Sequence, residues 1–551
     1  MLLEMGLKLK RQKPWTVGAV MYQIYPRSFQ DSNNDGIGDL KGITKRLDYL
    51  KHLGVNGVWL SPFYKSPMAD FGYDVADYKD VDPIFGTLED FKHLLHETHE
   101  RDIKVIIDIV PNHTSDEHEW FIKSKSSRDN AYSDWYVWRD PIAIHDNQPK
   151  PPNNWRDMFS GGSSWQWVQE RQQFYLHSFH AKQPDLNWEN LKVRSAIHDV
   201  MRFWLDLGVD GFRVDAVPFL AKNPQLEDDS INPYYIEGKS LPTHAVMRDN
   251  SAYWPAHYSY VGEMSEILNE PKYAKKQRFL VCEGYPNSQE SVSIYLRYFE
   301  NMNPRVSGPF IFEPLHLAWR AEEWRDFLYK LNKELSLSVP NGLPSYAFGN
   351  HDQPRIVSRL DSKRARAAAV IEFTLPGIAY IYYGDEIGMR NVHIPDDMIK
   401  DPNAIGGVGR DPERTPMQWD ASKHAGFSDA EITWLPLDQD YALNNVEAQL
   451  KDPASFLSLY RNLIRLRRST AALLNGTIEF NLSAGNDILA YTRIHGRSKY
   501  TTIVNFAAHE VTYPIKHSGM MILSSQKITL PKHRIKKSLT LAGYEAVIIR
   551  H

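Results

Sequence analysis

KVIIDIVPNH (104–113) is a continuous apolar run that ends abruptly in Asn112 and His113, and GFRVDAVPF (211–219) repeats the pattern further along the chain. Neither run alternates apolar with polar residues as a half-exposed strand does. Each therefore reads as a strand buried on both faces, the habit of parallel sheets covered by helices. Outward from these two, the pattern recurs in AVMYQIYP (19–26), GVNGVWLSP (54–62), RFLVCEGYP (278–286), RVSGPFIFEP (305–314), LPSYAFGNHD (343–352) and AYIYYGDEIGM (379–389), with amphipathic helical stretches between. Eight such units predict a closed (β/α)8 barrel of the TIM type. An open doubly wound sheet would call for a glycine-rich phosphate loop after the first strand, and the sequence has none there.

Two stretches break the rhythm. Residues 114–179 are rich in Trp, Asn, Asp, Ser and Gly, with NNW (153–155) and GGSSWQW (161–167), and are too long for an ordinary loop. They read as a small irregular subdomain inserted after the third strand, with the barrel formed by 1–113 and 180–470. From about Thr477 the chain turns to short runs without helices between them, IEFNL, ILAYTRI, YTTIVNF, MMILSS and YEAVIIR. Residues 471–551 are thus expected to close the chain as an antiparallel β-sandwich domain.

A 551-residue chain that is 42% apolar and 24% charged can bury a large core, which excludes a disordered or fibrous protein. The net charge of −4 supplies no basic field for nucleic acid, and the clusters KLKRQK (8–13) and KHRIKK (532–537) are short enough to be solvated surface. The N-terminal MLLEMGLKLKRQKPW lacks the apolar core of a secretory signal, and no run reaches the ~20 apolar residues of a membrane span. Cys282, the single cysteine, has no disulfide partner within the chain. These features predict a soluble, cytoplasmic protein with no membrane or nucleic-acid partner, and they assign no oligomeric state.

In such a barrel the chemistry sits at the C-terminal ends of the strands. Those ends carry Asn112 and His113, Arg213 and Asp215, Glu283, and Asn350, His351 and Asp352. Strand side chains alternate, so Arg213 and Asp215 share one face, as do Phe279, Val281 and Glu283, which turns Cys282 towards the helices. Three carboxylates, Asp215, Glu283 and Asp352, with an arginine and two histidines form a costly cluster to bury without a purpose. Paired carboxylates of this kind suit glycoside hydrolysis: one ionised beside Arg213 as nucleophile, the other protonated until it acts. His93, His96 and His99 in HLLHETHE lack the spacing of a zinc helix and fit the exposed face of an amphipathic one. Among the aromatic residues, Trp155, Trp165 and Trp167 of the insertion are candidates for the wall of a sugar pocket.

DIVPNHTS (108–115), GFRVDAV (211–217), the Glu of VCEGYP (281–286), FGNHD (348–352) and QPDLNWEN (183–190) resemble, in order and spacing, the motifs of the α-amylase superfamily, glycoside hydrolase family 13. YQIYPRSF (22–29), SPFYKSP (61–67), GYDV (72–75) and RTPMQWD (414–420) resemble its α-glucosidase branch, the maltases, sucrose hydrolases and oligo-1,6-glucosidases. The resemblance implies Asp215 as nucleophile, Glu283 as general acid/base and Asp352 as the carboxylate that stabilises the transition state. His113, Arg213 and His351 would hold the first glucose. Asp70 and Tyr73 would close the pocket, with Arg410 as the partner of Asp70 and Arg414 as the alternative. It also implies a structural Ca2+ or Mg2+ ion in DSNNDGIGD (31–39), held by Asp31, Asn33, Asp35, Asp39 and the carbonyl of Ile37, a set of oxygen donors suited to a hard cation. Without the resemblance, that loop reads equally well as Asx turns closed without metal. Ala216, after the nucleophile, matches a position where Val accompanies α-1,6 preference and Ala or Thr accompanies α-1,4.

The expected activity is that of a retaining, exo-acting α-glucosidase on a small α-glucoside of the maltose or sucrose type. A glucosyltransferase or isomerase such as a trehalose synthase would use the same intermediate. A non-catalytic transporter heavy chain of the same fold should carry a membrane anchor and altered carboxylates, and this sequence has neither.

Overall fold

All eight apolar runs form strands, and they close into the expected barrel in the computed structural model, which describes residues 14–145, 148–286, 290–402, 409–531 and 533–551. The basic cluster at 8–13 lies outside the described residues. The strands are β1 (Val20–Ile24), β2 (Gly57–Leu60), β3 (Lys104–Ile109), β4 (Gly211–Val214), β5 (Phe279–Cys282), β6 (Ser307–Ile311), β7 (Ser345–Ala347) and β8 (Ile378–Tyr382). Each pairs in parallel with its neighbours in chain order, and β1 pairs with β8 to complete the ring. A helix packs outside after every strand, among them Leu88–Glu100, Leu191–Leu207, Ala321–Ser338 and Phe456–Ser469.

Local sequence sets these helices. Thr87 and Asp90 form a reciprocal capping box at the start of Leu88–Glu100. Leu191–Leu207 starts on an Asn190 cap, stops at Gly208 in the left-handed region, and buries Val193, Ile197, Val200, Met201, Trp204 and Leu205 along one stripe. His93 and His96 are exposed on their helix, and His99 bonds Asp210 at 2.6 Å. Among the described residues no group of three or more His, Cys, Asp or Glu side chains is gathered to hold a metal ion.

The two sides of each strand feed separate cores. Met21, Trp59, Ile106, Phe279, Val281, Phe310 and Tyr380 fill the barrel interior, whereas Leu280 and Cys282 join the larger layer between strands and helices. Cys282 is fully buried there, which pushes its thiol far above the ordinary range and makes it a packing residue.

After β3 the chain forms a helix (Glu119–Ser126) and a three-stranded antiparallel sheet of Trp138–Arg139, Gln173–Leu176 and Trp165–Val168. Towards the C-terminus a five-stranded antiparallel sheet is built from Thr477–Phe480, Ile488–His495, Ser498–Asn505, Ala546–Arg550 and Met520–Ser524. A further pair, Val511–Pro514 with Ser538–Leu541, covers one face of it, and Ile503, Tyr513, Leu541, Val547 and Ile549 pack between the layers. Among the described residues no helix is long and apolar enough to cross a membrane.

Candidate active site

The register of β3, β4 and β5 places Arg213 directly between Asp108 and Val281. One guanidinium, buried in the barrel mouth, then serves three carboxylates: Nη1 lies 2.6 Å from Asp108 Oδ1 and 2.5 Å from Asp215 Oδ1, and Nη2 lies 2.7 Å from Glu283 Oε1. Asp108 also accepts from the Trp59 indole at 2.7 Å. Asp215 and Glu283 thus sit on adjacent nitrogens of one planar group, a separation set by the width of that group.

Three carboxylates against one guanidinium leave the cluster short of positive charge. Burial pushes Asp108 up to about 6 against the pull of Arg213. Burial also raises Asp215 well above the carboxylate range, with Glu283 and Asp108 adding to it and Arg213 opposing. Arg213, expected beside Asp215, is thus divided among three acids rather than reserved for one. Asp108 stands within the quoted DIVPNHTS motif, and strand alternation puts it on the same face as Ile106, but its contact with Arg213 follows only from the register of β3 against β4.

A second cationic cluster forms the opposite wall. Burial alone would raise Asp352, but His351, Arg410 and Arg414 beside it hold it well below the usual range. Arg410 Nη1 is 3.2 Å and Arg414 Nη2 3.0 Å from Asp352 Oδ1. Arg410 Nη2 reaches Asp70 Oδ1 at 2.7 Å, while Arg414 bonds the carbonyl of His351, so it is Arg410 that pairs with Asp70. Tyr73 stacks on His351 at 5.4 Å between centroids and its hydroxyl lies 2.7 Å from His351 Nε2. The Gln23 amide lies 2.8 Å from the other ring nitrogen, Nδ1. Gln183 bridges Asp70 Oδ2 at 3.0 Å and His113 Nε2 at 3.1 Å, and burial lowers His113 to about 4, so it is neutral near pH 7. All nine catalytic and sugar-holding candidates therefore line one cleft.

Ala216 has a left-handed backbone, φ 48° and ψ 35°, and its N–H donates to Glu283 Oε2 at 3.0 Å. That conformation costs a non-glycine residue about 1–3 kcal/mol and here aims a backbone donor at the Glu283 carboxylate. Ala216 packs with Phe219 and Ala252 and lies near Met158, Phe179 and Tyr253.

The aromatic wall differs from the sequence expectation. Trp155 and Trp165 are buried with Phe174 and Leu176 in the insertion's own core, and Trp167 packs against that core, away from the carboxylates. Phe159 and Phe179 reach the cleft instead. The Arg410 guanidinium lies over the Phe159 ring at 5.5 Å, and Phe179 packs on His113 at 5.1 Å and on Phe219 at 5.0 Å. Tryptophan has the larger stacking area, but in a subdomain this small the largest rings are needed for its core.

In the loop at 31–39, Asp31 Oδ1 accepts from the N–H groups of Asn33 and Asn34, and Oδ2 from Gly36 N–H and the Ser428 hydroxyl. Asp35 Oδ1 accepts from Ile37 N–H. Asp39 caps the helix Leu40–Lys45 through Gly42 N–H and also accepts from Ser32 N–H. Both Asp31 oxygens thus accept two hydrogen bonds each, whereas Asp35 Oδ1 and the two Asp39 oxygens accept one each and keep a second lone pair; the donor types, all oxygen, are those a hard cation takes.

A parallel barrel with carboxylates on three strand ends, two of them sharing a guanidinium, defines a class of enzymes that act on glycosidic bonds. The chain belongs to the α-amylase family: the family model "Alpha amylase, catalytic domain" matches residues 23–476. It is 39% identical to an oligo-1,6-glucosidase of Parageobacillus thermoglucosidasius, over 98% of this chain and 99% of that protein. It is 40% identical to Maltase 1 of Drosophila virilis, over 97% and 87% of the two chains. Among solved structures, the α-glucosyl transfer enzyme XgtA superposes with a TM-score of 0.89 at 35% identity, covering 98% of this chain and all (100%) of that one. The trehalulose synthase MutB of Pseudomonas mesoacidophila MX-45 gives 0.84 at 32% identity, with the same coverage of 98% and 100%.

Proposed function

We propose that this protein is a retaining α-glucosidase that removes single glucose units from the non-reducing end of short α-glucosides of the maltose or sucrose type. The observation that carries this reading is the placement of Asp215 and Glu283 on one arginine, beneath a wall closed by the Asp70–Arg410 ion pair. In this reading the Asp215 carboxylate attacks the anomeric carbon as Glu283 gives its proton to the departing glycosidic oxygen, leaving a glucosyl ester on Asp215. Glu283, now ionised, takes a proton from water, whose oxygen attacks the same carbon and frees glucose and Asp215. Asp352, held ionised by its two arginines, faces the positive charge that develops on the ring. Names such as maltase and oligo-1,6-glucosidase among the relatives support the glucoside class.

The direct test is to incubate the enzyme separately with maltose, sucrose, isomaltose, trehalose and maltotriose and follow the products. Glucose released first as the α anomer supports the reading; the β anomer, or an oligosaccharide cut internally, overturns it. A second reading, glucosyl transfer to a sugar, is favoured by the likeness to XgtA and to trehalulose synthase. Products longer than the substrate, or isomerised sucrose, formed faster than glucose at high substrate concentration would select it.

Sharing Arg213 has a pH consequence. The reactive form carries one proton on the Asp215–Glu283 pair, and Asp108 is among the neighbouring charges that raise the Asp215 carboxyl. Replacing Asp108 by Asn removes a neighbouring negative charge, so the pair releases its proton at lower pH. The basic limb of the kcat/KM profile is therefore expected to move towards acid by about one unit, equivalent to about 1.4 kcal/mol. An unmoved or alkaline-shifted limb would refute the shared-proton account.

We also propose that the loop at 31–39 holds a calcium or magnesium ion through Asp31, Asn33, Asp35, Asp39 and the Ile37 carbonyl, away from the carboxylates and serving stability. Removing the ion with a chelator is expected to lower the melting temperature and leave low-temperature kcat nearly unchanged. A melting temperature indifferent to chelator and to added calcium or magnesium would show that the Asx turns suffice.

A further inference from the structure

Arg410 has to face two carboxylates that arrive on different elements, Asp70 from the loop after β2 and Asp352 from the end of β7. An arginine on a loop after β8 carries enough rotamer freedom to satisfy one at the expense of the other. Asp401 removes that freedom. Its Oδ2 accepts from Arg410 Nε at 2.9 Å and from the Arg410 backbone N–H at 2.6 Å, while Oδ1 lies 2.7 Å from Nη2. This is a side-on, two-point grip on one edge of the guanidinium, and it leaves Nη1 for Asp352 and the outer side of Nη2 for Asp70. The Asp401 side chain is fully buried, and its own N–H is fixed at 2.9 Å to the buried carboxylate of Asp411. Gly409 makes the approach possible. It has φ 59°, and a Cβ there would lie 2.6 Å from Asp401 Oδ2.

We infer that Asp401 is a positioning residue that sets the closed end of the glucose pocket by aligning Arg410 between Asp70 and Asp352, and so limits the enzyme to removing one glucose at a time. The inference rests on the exo-acting reading above. A buried ion pair kept only for stability would need no particular edge of the arginine. Here the edge chosen determines which nitrogens face the pocket.

The test uses p-nitrophenyl α-maltoside, from which a pocket closed behind the first glucose can release only glucose in its first cut. With the far wall loosened, two glucose units fit, and maltose and p-nitrophenol appear together. Asp401→Asn is expected to raise KM for maltose tenfold or more and to yield maltose directly from this substrate. In a double-mutant cycle its effect on KM should vanish in an Arg410→Ala background. Asp401→Glu, which keeps the charge but displaces it by a methylene, serves if the Asn variant does not fold, with the same product shift expected. Lower thermal stability with wild-type KM and glucose as the sole first product would overturn the inference. Direct maltose release by the wild type would instead overturn the exo-acting reading itself.

Discussion

Asp215→Asn is expected to lower kcat on maltose by about four orders of magnitude or more, and Glu283→Gln by a comparable factor, with neither variant less stable than the wild type. Stability is spared because both acids crowd one guanidinium with Asp108, so removing a charge relieves repulsion in the buried cluster. The two losses differ in how they can be repaired. With p-nitrophenyl α-glucoside the leaving group departs without an acid, so the Glu283 variant should still form the glucosyl ester, and azide, which needs no general base, should then release α-glucosyl azide. In the Asp215→Asn variant the amide fills the nucleophile's place and admits no azide, so that variant should stay inactive. Equal and slight losses in both, or rescue of the Asp215 variant alone, would mean that the roles are wrongly assigned.

The barrel was legible because strands buried on both faces leave uninterrupted apolar runs, and each run stops where a polar residue enters the mouth. Strand alternation separated Glu283 from Cys282 correctly, since the two faces of β5 feed different cores. The C-terminal strands Val511–Pro514 and Ser538–Leu541 were not legible, because they lie partly exposed and lack an apolar run. The site was harder to read where its meaning depends on counting charges across strands. Asp108 looks like one acid in an apolar run, and only the register of β3 against β4 makes it a competitor for Arg213. Asp401 gave no signal, since the chain must fold back on Arg410 before the grip exists. Phe159 and Phe179 were hidden behind the tryptophans because ring size tells how much area a residue can bury, not which core claims it.

Ala216→Val is expected to lower the ratio of maltose to isomaltose kcat/KM by roughly ten- to two-hundred-fold, about 1–3 kcal/mol of differential binding. In the proposed mechanism Asp215 attacks the anomeric carbon, so the next side chain would lie beside the departing sugar, and two added methyls would crowd an α-1,4-linked one. The extra methylene of a 1,6 linkage carries that sugar clear. The backbone adds a second effect that volume alone does not foresee. Ala216 sits at φ 48°, where a β-branched residue is strained, and its N–H is the group that holds Glu283 Oε2. Valine should therefore tilt the acid's support and lower kcat on every substrate, including p-nitrophenyl α-glucoside, whose aglycone lacks the second sugar. That common loss cancels in the ratio, so the ratio, and not either rate alone, measures the contact with the leaving sugar. Ala216→Thr adds comparable bulk and the same β-branching but exchanges one methyl for a hydroxyl. The family resemblance implies α-1,4 preference with Thr here, so it should share the general fall in kcat while keeping more of the maltose preference. A wild type that already prefers isomaltose, or a Val variant with an unmoved ratio, would show that linkage is chosen elsewhere in the pocket.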